Sequence, residues 1–103
     1  GTSVIVVLGH ESCGAVTAAL SGGDNGYNLN HLLAHIAPAL SASGEGAEVN
    51  EVVRKNAELS AEELQNRSKI IRDAVANGKL EILRITISGT WCRLILVRIK
   101  KAF

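Results

Sequence analysis

Residues 4–8, Val-Ile-Val-Val-Leu, form an unbroken β-branched apolar run that stops at Gly9. A run without polar alternation predicts a strand covered on both faces, as in a parallel sheet. Residues 13–20 turn to small and apolar side chains and predict a short helix. Residues 21–26, Ser-Gly-Gly-Asp-Asn-Gly, are turn chemistry. Leu29, Leu32, Leu33, Ile36 and Leu40 then recur at helical spacing, with Pro38 expected to kink or end that helix. A loop is expected over residues 41–46.

From residue 48 to 77 the pattern is helical again, with Val49, Val52 and Val53 on one stripe and Leu64, Ile71 and Val75 on another. Ser60 followed by Glu63 has the form of a capping box, which predicts a break into two helices near Leu59. The second would end at Asn77-Gly78. Residues 80–87 and 91–99 read as strands separated by Ser88-Gly89-Thr90. The order strand, helices, strands predicts one α/β domain over residues 1–103, with a small, mainly parallel sheet flanked by helices. So few strands leave open edges and uncovered apolar surface, so a second chain is expected to complete the fold by dimerisation.

Composition narrows the function classes. In 103 residues, 11 Lys and Arg balance 10 Asp and Glu for a net charge of +1, with no like-charged block longer than Lys100-Lys101. That argues against a nucleic-acid partner and against a polybasic membrane surface. The apolar runs are far shorter than the roughly 20 residues that span a bilayer, and nothing has the form of a signal peptide, so a cytoplasmic location is the default expectation. Two cysteines make no disulfide framework, and each thiol is judged as ligand or nucleophile.

One segment is dense in chemistry: Gly9-His10-Glu11-Ser12-Cys13-Gly14, where the first strand ends and the first helix begins. In open α/β sheets, sites form at that junction. His10 and Cys13, three apart, can reach one Zn²⁺ from a loop and a first helical turn, and a helix N-terminus favours the thiolate that a metal needs. In isolation, a His-x-x-Cys pair is more often a packed thiol beside an ordinary loop histidine.

The whole stretch from Val4 to Leu20 resembles the second zinc motif of β-class carbonic anhydrases: an apolar strand, Gly-His-x-x-Cys-Gly, then a small-residue helix. Asn56, Leu64, Ser68, Ile71 and the run Asn77-Gly78-Lys79-Leu80-Glu81-Ile82 are similar to later parts of that family. The resemblance covers residues 1 to about 83. It implies His10 and Cys13 as zinc ligands and Gly14 as a close-approach glycine beside the metal. The implied activity is hydration of CO₂ to bicarbonate, with Zn²⁺ lowering the pKa of the attacking water. It also implies a dimer or higher homo-oligomer. The family's remaining ligands, a Cys and an Asp steered by an Arg, come from an upstream Cys-x-Asp-x-Arg motif. Only nine residues precede His10, so the chain is expected to be N-terminally incomplete and its activity alone is open.

After Leu83 the chain departs from the family's Val-Gly-Ala-x-Tyr-Asp-Leu continuation, reading Arg84-Ile85-Thr86-Ile87-Ser88. A shifted reading frame and a divergent edge strand are equal alternatives. The other candidates have plainer readings. His31 and His35 share a helix face at i, i+4, yet no Glu follows His31 as a hydrolase helix needs, so packing is preferred to ligation. Cys92 is read as a buried thiol rather than a third ligand. Ser12 is expected to cap the first helix, and Glu11 to be solvated. Glu58, Glu62 and Glu63 with Arg54, Lys55 and Arg67 form an exposed face, and residues 22–26 lack the Lys-Ser/Thr ending of a phosphate loop. Two rival functions stay open: a non-catalytic zinc-binding homologue or fragment serving as a dimerisation module, and a metal-free redox or anion-binding loop.

Overall fold

The computed structural model describes residues 3–88 and 93–98. Three strands and five helices follow one another as β1 (Ser3–His10), α1 (Gly14–Ser21), α2 (Tyr27–Ala34), α3 (Ala37–Ser43), α4 (Val49–Arg67), α5 (Lys69–Ala76), β2 (Leu80–Ser88) and β3 (Arg93–Arg98). The sheet order is β1-β2-β3. β1 and β2 are parallel with Ser3 opposite Leu80 and His10 opposite Ile87, and β3 adds antiparallel to β2. The α/β class and the parallel pair are as the pattern indicated. The turn at residues 89–90, Trp91 and Cys92 lie outside the described residues.

Helix α4 packs against both β1 and β2, and α5 packs against β2. Side chains alternate across a strand, so Ile5, Val7 and Gly9 share the helix-covered face with Ile82, Arg84 and Thr86. Ile82 and Thr86 are buried there, and Arg84 reaches Glu58 of α4 at 3.2 Å. The opposite face differs from the sequence expectation of a strand covered on both sides. Val4, Val6 and Leu8 are 49%, 49% and 57% exposed. An apolar run reports what a strand is suited to contact, not whether the covering layer lies within the same chain.

The main core is helical: Val16 of α1, Leu33 of α2, Ile36, Ala39 of α3, and Val52 and Val53 of α4. The expected break near Leu59 does not occur, and α4 runs unbroken to Arg67. Val52, Val53, Ala57 and Ala61 make one continuous buried stripe, and packing along it outweighs the local capping signal of Ser60 and Glu63. The break falls at Ser68, whose hydroxyl oxygen accepts a bond from Ile71 N at 3.2 Å. Across this corner Arg72 donates to the carbonyl of Gln65 at 3.0 Å, satisfying an end group of α4. The helical run from Leu29 to Leu40 is interrupted as expected, but at His35–Ile36, and Pro38 stands in the first turn of α3, where its missing N–H costs nothing.

Candidate metal centre

The end of β1 delivers His10 and the start of α1 delivers Cys13, with only Glu11 and Ser12 between them. Each backbone step of this loop is pinned. Glu11 N donates to Ile87 O at 2.9 Å, extending the β1–β2 ladder by one bond. Ser12 adopts φ 56°, a left-handed conformation rare outside glycine. Its N–H donates to Asn50 Oδ1 at 3.0 Å, so the first turn of α4 holds the loop in that turn. Ser12 does not cap α1 as expected. Cys13 is itself the N-cap, in an extended conformation and with no side-chain capping bond. The Cys13 carbonyl accepts from Thr17 N at 3.0 Å and from Thr17 Oγ1 at 2.8 Å.

The imidazole of His10 is oriented by its neighbour. Its Nδ1 lies 3.1 Å from the carbonyl oxygen of Glu11. A carbonyl can only accept, so Nδ1 is the donor in this bond, and Nε2 is the ring nitrogen left to face a metal. That is the arrangement in which backbone carbonyls fix metal-binding histidines. Cys13 is a free, half-buried thiol.

His10 and Cys13 line one groove of about 510 Å³ together with His35, Asn56, Ser60 and Glu63. Val7, Val16 and Ile36 form part of its apolar wall. The groove follows β1, which is an edge strand of the described sheet. Among the described residues, no three His, Cys, Asp or Glu side chains gather to hold a metal ion. An imidazole nitrogen and a cysteine sulfur are nevertheless donor types that Zn²⁺ takes, so the pair fits half of a tetrahedral site.

The other candidates are placed as follows. Gly14 opens α1, and a Cβ built on it meets nothing within 4 Å, so nothing described in the chain itself demands a glycine there. The crowded glycine of the motif is Gly9, whose Cβ would stand 3.0 Å from Val53 Cγ1. His31 lies away from the groove and packs edge-on against His35, with ring centroids 5.4 Å apart. Of the charge pairs on α4, Glu63–Arg67 at 3.9 Å is exposed as expected, whereas Lys55–Glu58 at 3.4 Å is half-buried and Glu58 also meets Arg84 of β2. Asn50 carried no sequence signal, because its partner Ser12 is 38 positions away.

A His-x-x-Cys loop at the carboxyl end of a parallel strand, leading into a short helix, stands where ligands bind in open α/β sheets. The carbonic anhydrase family profile matches residues 1–90. Carbonic anhydrase 2 of Mycobacterium tuberculosis is 34% identical over 89 residues, a match that takes in 81% of this chain and 43% of that protein. Among solved structures, one of two tetrameric β-carbonic anhydrases from Sordaria macrospora aligns with a TM-score of 0.74 and 26% identity, over 97% of this chain and 54% of that one. The Coccomyxa β-carbonic anhydrase in complex with acetazolamide shares the fold, with a TM-score of 0.66 and 22% identity over 96% of this chain and 47% of that one. The chain belongs to the β-class carbonic anhydrase family. It spans about half the length of these relatives. No helix among the described residues is long and apolar enough to cross a membrane.

Proposed function

We propose that this chain is the Gly-His-x-x-Cys half of a zinc-dependent carbonic anhydrase, with His10 and Cys13 as two of the metal's ligands and CO₂ and bicarbonate as substrate and product. The observation that carries this reading is the His10 ring, oriented by its Nδ1 contact with the Glu11 carbonyl, on the same groove as the Cys13 thiol. Zn²⁺ held there would lower the pKa of a water so that it adds to CO₂ near neutrality. The chain's own part is to fix the two donors: β1 and the Glu11–Ile87 bond hold His10, while Asn50 and Thr17 hold the turn into Cys13. A site built on a thiolate needs reduced cysteines, which supports a cytoplasmic location.

The family's Cys-x-Asp-x-Arg motif, which by resemblance would supply the remaining ligands, does not occur in these 103 residues. Two features support a homo-oligomer: the half-exposed row Val4, Val6 and Leu8 beside the open edge of β1, and the tetrameric state stated for the Sordaria macrospora relatives. The same features also suit the second reading, a non-catalytic zinc-binding homologue or fragment acting as a dimerisation module. Metal analysis after dialysis, paired with a stopped-flow CO₂ hydration assay, separates them. Zinc that depends on Cys13 together with turnover supports the enzyme, zinc without turnover supports the module, and no zinc at His10 and Cys13 removes both.

A further inference from the structure

We propose a second metal site on this chain, formed by His31 and His35 and taking one Zn²⁺ or Cu²⁺ with water in the remaining positions. It does not rest on the reading of His10 and Cys13. His31 lies in the last turn of α2 and His35 is its C-cap in helical conformation, so the two imidazoles project one turn apart from a preformed helix. Both residues are exposed. Among the described residues, neither ring has a polar partner beyond their mutual contact, so ligation displaces no existing bond.

The separation of the rings is compatible with a shared ion. With Zn–N of about 2.0–2.1 Å and a tetrahedral angle at the metal, two ligating imidazoles place their ring centroids about 5.2 Å apart. The observed separation is 5.4 Å. The rings stand at 84° to one another, and as exposed side chains they can turn about their own bonds to converge their nitrogens without moving the helix. The local charge also suits a cation. The site sits at the negative end of the α2 dipole, and His35 lines a second groove together with Glu62 and Glu63. Imidazole donors select Zn²⁺, Cu²⁺ and Ni²⁺ over Mg²⁺ and Ca²⁺, with Cu²⁺ bound tightest.

The test is a Zn²⁺ and Cu²⁺ titration by calorimetry on the full chain in the Cys13→Ser background, repeated with His31→Ala and with His35→Ala. Helix content is checked by circular dichroism. One metal equivalent is expected to persist in Cys13→Ser, and its affinity to fall at least about tenfold in either histidine variant. The same titration in the wild-type chain, where His31→Ala should remove one equivalent, covers the case that Cys13→Ser fails to fold. Affinity and stoichiometry unchanged by both histidine substitutions would overturn the site. Loss of the Cys13 site alone leaves it standing.

Discussion

Gly9 and Gly14 bracket the same loop, and substitution by Ala should act on them in opposite directions. A Cβ on Gly9 stands 3.0 Å from Val53 Cγ1, 3.5 Å from Val53 O and 3.6 Å from Ala57 Cβ. Carbon atoms rest at about 3.5–4.0 Å, so the first contact overlaps by roughly 0.5 Å or more. Val53 is only 4% exposed and β-branched, so it cannot rotate away cheaply, and α4 must lift from β1 by a few tenths of an ångström. Such overpacking costs about 1–3 kcal/mol, offset by up to about 1 kcal/mol from the reduced freedom of the unfolded chain. A net loss of about 1–2 kcal/mol moves the urea midpoint down by roughly 0.3–2 M at the m-values of small proteins. Gly14→Ala, whose Cβ meets nothing, should instead raise the midpoint, by up to about 1 kcal/mol in stability, through helix propensity. The assay is urea unfolding followed by circular dichroism, with Val53→Ala completing a double-mutant cycle. Gly9→Ala should cost less in the Val53→Ala background, by about 1 kcal/mol or more. Strictly additive effects, or a Gly9→Ala chain as stable as the parent, would refute the close approach of β1 to α4.

Three further outcomes are expected. Ser68→Ala removes the hydroxyl that accepts from Ile71 N and should cost about 1 kcal/mol in the same urea experiment, whereas Ser60→Ala should cost less because Ser60 caps nothing. Asn50→Ala frees the left-handed Ser12 turn and should weaken metal binding at His10 and Cys13 by about tenfold, as loss of outer-shell support does; Ser12→Gly should partly restore it. The Asp24 carboxyl is held below its usual value first by the Gly26 N–H and then by the Asn30 amide. Its contribution to stability is therefore present above the ordinary carboxylate range and is lost as pH falls through its lowered value; Asp24→Asn should flatten that part of an acid-unfolding curve.

Local signals carried the reading well, and longer-range ones were hidden. The strand-to-helix switch around Gly9 and Cys13 follows from an apolar run meeting small residues, and it already places His10 near Cys13 because only two residues intervene. Ser60 and Ser68 show the limit of local pattern. Both can precede a helix, but only a three-dimensional view shows that Ala57 and Ala61 carry a buried stripe straight past Ser60. The exposure of Val4, Val6 and Leu8 was hidden for another reason, since a β-branched run is the same whether its covering layer lies in this chain or elsewhere. Asn50 and Val53, the residues that lock the loop and the strand, act across more than thirty positions and leave no local trace.

The central claim is that His10 and Cys13 jointly hold a metal. Cobalt is a spectroscopic stand-in for zinc, and a bound thiolate gives it a sulfur-to-metal charge-transfer absorption that imidazoles alone cannot produce. A Co²⁺ titration of the full chain should show that band saturating at one equivalent per chain. It should vanish in Cys13→Ser, weaken strongly in His10→Ala, and persist in Cys92→Ser and His31→Ala. A band that survives Cys13→Ser, or no thiolate band in the parent chain, would contradict the account.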